Sequence, residues 1–287
     1  MPATENAEKS GYAAAQAEVT EHLMEQLRLW RSKLTAAPIT TQSIEDVDRL
    51  FAAQMAARLL ELSLRPAAVH DLNEIRPMVC PFREQGFETD ITLEDVVTMI
   101  AETGAVLRGH FVLLSELHSD YFFMFSRLGR RVEFRKRLAT ELAKRFASAG
   151  IESVVAPVTA GGLLVQDVAS ELKAKFAFFD VDDHSRPCAI RRGYSVRGAT
   201  LIVNDMTTTG EGIERMSKVV TEAGARFAGV GLIATRGAIG TQIVENFLGK
   251  GCKVEALFHL ATDAVRDFSC EKCRMGLPFI RSADVNR

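Results

Sequence analysis

From about residue 130 onward, apolar and polar positions follow a repeating order. Short apolar runs alternate with longer stretches whose apolar residues recur every three or four positions. The runs at 151–156, 176–179, 199–203, 226–235 and 254–260 predict buried strands. The stretches 133–149, 163–173, 212–223 and 240–248 predict helices between them. Strands alternating with helices predict an α/β fold, a mostly parallel sheet flanked by helices. Ligands in such sheets sit beyond the carboxyl ends of the strands.

The first part of the chain reads differently. Residues 12–34 carry Val19, Leu23, Leu27 and Trp30 at helical spacing. Ser43-Ile44-Glu45-Asp46 resembles a capping box, and Val47, Leu50, Phe51, Met55, Leu59 and Leu60 continue one apolar face to about Ser63. Residues 64–90, with Pro66, Pro77 and Pro81, predict irregular chain. Thr92-Leu93-Glu94-Asp95 then caps a third helix that leads into a hairpin. The expected division is a helical N-terminal extension over 1–88 and an α/β domain with a small hairpin or hood over 89–287. The apolar faces of the extension need a partner, either the same chain or a second subunit, and a homodimer is expected.

Composition narrows the class. The chain has 287 residues, 47% of them hydrophobic, with a formal net charge of −2. It can bury a substantial core, and it has no basic footprint for nucleic acid. No apolar run approaches the ~20 residues that span a bilayer, so no membrane partner is expected. Five cysteines and an N-terminus without a signal-peptide core predict reduced thiols and a cytoplasmic location.

Candidate chemistry concentrates at 199–212, A-T-L-I-V-N-D-M-T-T-T-G-E-G. An apolar strand ends at Asn204 and Asp205, and a threonine- and glycine-rich turn leads into a helix. Backbone N–H groups and the positive end of a helix dipole favour a phosphate there. Threonine hydroxyls add donors, and an acid at the strand end suits sugar hydroxyls. No Lys follows Gly210 or Gly212, which excludes a Walker loop, and Gly210-Glu211-Gly212 is too short for a dinucleotide fingerprint.

The segment resembles the phosphoribosyl-diphosphate (PRPP) loop of type I phosphoribosyltransferases. Further segments in order resemble the orotate phosphoribosyltransferases in particular. These are R-G-H-F-V-L-L-S-E-L-H-S-D-Y at 108–121, V-V-A-P-V-T-A-G-G at 154–162, I-R-R-G at 190–193, A-T-R-G at 234–237 and S-C-E-K-C-R-M-G-L-P at 269–278. The resemblance spans about residues 90–280. It implies transfer of a ribose 5-phosphate unit from PRPP to a small-molecule acceptor, with Mg²⁺ and release of pyrophosphate, as in pyrimidine nucleotide synthesis. It assigns Asn204 and Asp205 to the ribose hydroxyls, and Thr207, Thr208, Thr209, Gly210 and Gly212 to the 5′-phosphate. Thr159, Ala160, Gly161 and Arg192 fall to pyrophosphate, Arg236 and Ser115 to the acceptor. Asp205 and the closing-loop His184 are the catalytic candidates. No residue is assigned directly to the metal, which enters with PRPP and meets Asp205 at most.

Several residues depart from the pattern. Asn204 replaces an acid, Glu116 stands where the hairpin usually has Gly, and Asp180, Asp182 and Asp183 replace the lysines of the closing loop. An acidic loop suits a cationic acceptor better than orotate, so the alternatives are a non-orotate acceptor in a specialised pathway or a PRPP-binding regulator without turnover. Residues 180–189 are expected to form a mobile loop. Cys270-x-x-Cys273 is half of a zinc site, completed by a second pair in a dimer or by His259; by itself it reads as reduced thiols. His110 and His118 read as structural residues of the hairpin.

Overall fold

The computed structural model describes residues 66–81, 90–158, 161–182, 186–237, 246 and 252–285. The helices expected over 12–34 and 43–63 lie outside the described residues, as does the one over 240–248 apart from Asn246. In chain order the elements are β1 (Ala67–Ala68), α1 (Leu72–Ile75), β2 (Val79–Pro81), α2 (Leu93–Thr103), β3 (Val106–Val112), β4 (His118–Phe123), α3 (Phe125–Gly129) and α4 (Val132–Lys144). They continue with β5 (Ser153–Pro157), α5 (Gly162–Leu172), β6 (Lys175–Val181), β7 (Pro187–Ile190), β8 (Ala199–Thr207), α6 (Glu211–Glu222), β9 (Arg226–Arg236), β10 (Lys253–Leu260), α7 (Glu271–Arg274) and β11 (Ile280–Arg281).

The alternating pattern produces a seven-stranded sheet in the order β2-β10-β9-β8-β5-β6-β7. Strands β10, β9, β8, β5 and β6 run parallel, and an antiparallel strand closes each edge. Alternate residues of β8 explain why its run is apolar throughout. Leu201 and Val203 join the core that receives Leu138 and Leu142 of α4 and Leu164 and Val168 of α5. Ile202, between them, joins the opposite core with Ile213, Met216 and Val220 of α6. A strand covered on both faces has no polar side to show. Two glycines set the spacing at β9. A Cβ at Gly231 would lie 3.0 Å from the Leu142 side chain, and one at Gly229 would lie 2.6 Å from the Lys253 carbonyl. Helix α4 and strand β10 can therefore approach β9 closely.

The expected hairpin is β3–β4, with a register shift between Arg108 and Phe111. With β1 and β11 it forms a separate four-stranded sheet. Helix α2 starts at Thr92 with the predicted box: the Thr92 hydroxyl accepts from Asp95 N–H at 3.1 Å, and Asp95 accepts from Thr92 N–H at 2.8 Å.

Two expectations differ from the structure. Residues 67–81 hold β1, α1 and β2, so chain expected to be irregular supplies a strand to each sheet. Both strands lie ahead of residue 89, where the α/β domain is expected to begin. These strands have two and three residues, too short for an alternating pattern, and pairing with distant partners creates them. The second difference lies at 180–189. Residues Pro187–Ile190 pair antiparallel with β6, which makes this segment a hairpin arm. Pro187 has no N–H to give, but it stands first in an edge strand, where none is required.

Candidate active site

Strand β8 runs on past the apolar residues and carries Asn204, Asp205 and Thr207 to its carboxyl end. Asn204 turns inward on its own strand, its side-chain amide donating to the Met206 carbonyl at 3.0 Å. Asp205 is half-buried. Burial pushes its pKa up to about 6, against the opposing effect of hydrogen bonds from the Met206 and Asp205 backbone N–H groups. It is mostly ionised at neutral pH but close to taking a proton.

The turn after β8 is closed by the buried Thr207 hydroxyl, which accepts the Gly210 N–H at 3.2 Å. Gly210 has a φ of 77°, a left-handed conformation that a side chain would strain. It is the N-cap of α6 and makes no side-chain cap. The first-turn N–H groups of α6 are thus left for an anion, beside Thr208 and Thr209. Gly212 falls in the first turn of the helix, with open space where a Cβ would be. Glu211 and Glu214 share that turn and balance the helix dipole while no anion is bound.

Strand β9 lies beside β8, with Thr235 opposite Thr207, and ends at Arg236. The Arg236 side chain is 1% exposed. Its Nη2 donates to the Tyr121 carbonyl of β4 at 3.0 Å, while Nε and Nη1 have no partner among the described residues. Burial lowers its pKa to about 10, so it stays charged at neutral pH. A buried guanidinium with two idle donors is costly unless an anion reaches it.

Gly161 opens α5 beyond the end of β5. A Cβ there would lie 3.2 Å from the Val203 carbonyl, so Gly161 sits against β8. Thr159, Ala160, Asp183 and His184 lie outside the described residues. Arg192 is exposed just after β7, three places along the sheet from β8. In that hairpin Arg191 pairs with Asp180 at 3.6 Å, and Asp182 accepts the Arg186 N–H at 2.9 Å. Ser115 stands in the β3–β4 turn with its hydroxyl buried and without a partner among the described residues. Its neighbour Glu116 has a φ of 58°, which accounts for glycine at this place in the pattern it resembles.

Two residues were not singled out by sequence. Tyr121 orients Arg236 through its carbonyl, a backbone contact that no side-chain pattern reveals. Thr262, two places beyond the end of β10, has a buried hydroxyl without a partner among the described residues. Its position after an apolar strand was the available signal.

The chain matches no protein-family model. Curated relatives are more informative. The orotate phosphoribosyltransferase of Desulforamulus reducens is 28% identical over 190 residues, covering 66% of this chain and 95% of that protein. The solved orotate phosphoribosyltransferase of Aeropyrum pernix is similar at a TM-score of 0.45 and 22% identity, covering 55% of this chain and 90% of that one. The orotate phosphoribosyltransferase of Thermus thermophilus is 30% identical over 186 residues, 64% of this chain and 97% of the relative. With that identity over almost the whole relative, the chain belongs to the orotate phosphoribosyltransferase family.

Proposed function

We propose that this chain is a PRPP-dependent phosphoribosyltransferase whose acceptor is orotate. Arg236 carries the acceptor assignment: a buried cation with two unpartnered donors stands at the strand end next to the PRPP strand. A guanidinium fork binds a carboxylate through two parallel hydrogen bonds, and orotate brings a carboxylate. The acidic hairpin argues less for a cationic acceptor than the bare sequence does, because Asp180 and Asp182 are engaged within the hairpin itself.

In the reaction a ring nitrogen of the acceptor bonds to C1 of PRPP as the bond from C1 to pyrophosphate breaks, and the proton of that ring nitrogen passes to the departing pyrophosphate. The electron pair of that bond leaves with pyrophosphate. Positive charge develops at C1, and Asp205, with Asn204, would hold the ribose hydroxyls beside it. The Thr207–Gly210 turn and the first turn of α6 would fix the 5′-phosphate. Thr159, Ala160 and Gly161 would offer N–H groups to pyrophosphate, with Arg192 adding charge. His184, which follows Asp182 and Asp183 in the sequence, would act where pyrophosphate departs. Ser115 would meet the acceptor. Mg²⁺, bound with PRPP, supplies charge neutralisation for the leaving group; the oxygen-rich end of β8 suits such a hard cation. A homodimer is part of this reading, supported by the apolar faces over 12–34 and 43–63 in the sequence.

Pyrophosphate release in the presence of PRPP, Mg²⁺ and a panel of acceptors tests the proposal. Turnover is expected with orotate and not with purines or amines; release only with another acceptor would overturn the orotate assignment and leave the PRPP site standing. Arg236→Lys should raise the KM for orotate by roughly 10–100-fold, the loss of a charge-assisted bond, with little change in the KM for PRPP. Equal effects on both substrates would remove Arg236 from the acceptor site.

A further inference from the structure

Outside the site just described, four side chains from distant parts of the sequence converge. They are His110 in β3, His118 at the start of β4, and Cys270 and Cys273, which flank and end the first turn of α7. Their ligand atoms all lie within 4.8 Å of one another. His110 Nε2 is 3.1 Å from His118 Nδ1, 3.3 Å from Cys270 Sγ and 3.6 Å from Cys273 Sγ. Cys273 Sγ is 3.2 Å from His118 Nδ1. We propose that these four residues bind one structural Zn²⁺.

Geometry supports zinc over a set of ordinary hydrogen bonds. A tetrahedral Cys₂His₂ site with usual metal–ligand bonds has edges of about 3.4 Å between nitrogens and about 3.6 Å between nitrogen and sulfur. The four separations given above lie within a few tenths of an ångström of those edges, and the two remaining ones, from Cys270 Sγ to Cys273 Sγ and to His118 Nδ1, are within 4.8 Å. Two thiol protons serve the two imidazole nitrogens only through weak S–H donors and leave the sulfur lone pairs unused, whereas a cation at the centre engages all four ligand atoms at once. Two thiolates and two neutral imidazoles give a neutral site with Zn²⁺, which suits its burial. His110, His118 and Cys270 are each at most 7% exposed. Thiolate and imidazole together select zinc over magnesium or calcium.

The surroundings are those of a built site. His110 Nδ1 is 3.1 Å from the Pro278 carbonyl, which fixes the tautomer that leaves Nε2 free for a metal. His118 exchanges backbone hydrogen bonds with Val265 at 2.7 and 2.8 Å. Phe279 stands edge-on to both imidazoles, with ring centroids 5.9 and 5.7 Å away. Lys272, between the two cysteines, donates to the Gly109 carbonyl at 2.6 Å and pairs with Asp120 at 3.0 Å. With all four positions filled by protein, the metal would be structural. It would staple the C-terminal segment to the β3–β4 hairpin, the same hairpin whose Tyr121 carbonyl holds Arg236.

The test is metal content and a cobalt spectrum on the full chain. Protein made with zinc in the medium and purified without chelator should carry one zinc per chain by elemental analysis. Titrating reduced, zinc-stripped protein with Co²⁺ should give the intense visible bands of tetrahedral cobalt and a thiolate charge-transfer band. Cys273→Ser and His118→Ala should lose stoichiometric metal, His118→Cys should keep it, and Cys188→Ser, at an exposed thiol outside the cluster, should not change it. Full-length protein with substoichiometric zinc and no tetrahedral cobalt spectrum, while folded by circular dichroism, would overturn the proposal. So would a Cys270–Cys273 disulfide as the stable state of the purified chain. If Cys273→Ser does not fold, the cobalt spectrum of the unaltered chain decides the question.

Discussion

Asp205 is held under conditions that oppose its charge. Its pKa of about 6 lies above the ordinary value of 3.8. Folding therefore favours the protonated form, and the ionised carboxylate lowers the stability of the ligand-free protein at any pH above about 6. That cost fades as pH falls through 6 and is gone below the ordinary carboxylate range. Asp205→Asn is expected to raise ligand-free stability by roughly 1–2 kcal/mol at about pH 8 and by little at about pH 4, while weakening PRPP binding. Thermal unfolding at the two pH values and calorimetry with PRPP check it. A destabilised variant at the higher pH would mean that the carboxylate has a stabilising partner. For the unaltered protein, PRPP affinity should decline as pH drops through about 6, and the Asn variant should lack that limb.

Among the elements, α2 shows how local chemistry fixes a boundary. The capping box at Thr92 and Asp95 satisfies N–H groups that the helix itself cannot. Hydrogen bonds from the Thr92 backbone and hydroxyl, and then from Arg137, hold Asp95 down to about 2. This depressed carboxylate stabilises the fold fully above the ordinary range near 4, and the contribution is lost as pH falls toward 2. Thr92→Ala is expected to cost about 1 kcal/mol, or about 2–4 °C in Tm, and to flatten the acid limb of stability between about pH 4 and 2. An unchanged Tm would show that α2 is held by its buried face alone, Val96, Val97, Met99 and Ile100.

At the scale of the whole molecule, helix layer and sheet are joined by a buried ion pair. Arg145, at the end of α4, and Glu255, in β10, are 4% and 0% exposed, with Nη1 3.3 Å from Oε2. Arg145 also donates to the Ala256 carbonyl at 2.7 Å, and Lys253 stands 3.2 Å from the other Glu255 oxygen. Removing one partner leaves a buried charge uncompensated. Glu255→Ala should destabilise by about 3–5 kcal/mol, whereas Arg145→Met with Glu255→Leu should cost less than the sum of the single changes. Urea unfolding of the two single variants and the double variant measures the coupling; additive losses would mean that the pair is held apart from its apparent partners.

The alternation of strands and helices after residue 130, the strand-end acid with its threonine turn, and the cap at Thr92 could all be read from sequence. Each depends on residues within a few positions of one another, through periodicity or through side chains bonding nearby backbone. Family membership was legible for the same reason, since the resembling motifs are short and occur in order. Strands β1 and β2 were not legible: residues 67–81 become strands only by pairing with β3 and β10. The extent of β8 through Thr207 was not legible either, because its last residues are polar and owe their extended form to β9 alongside. The idle donors of Arg236 follow from which backbone packs against it. The meeting of His110 with Cys270, 160 residues away, follows from a register shift in one hairpin and the return of the C-terminal segment. Such contacts bring together residues far apart along the chain, and only tertiary packing settles which of them meet.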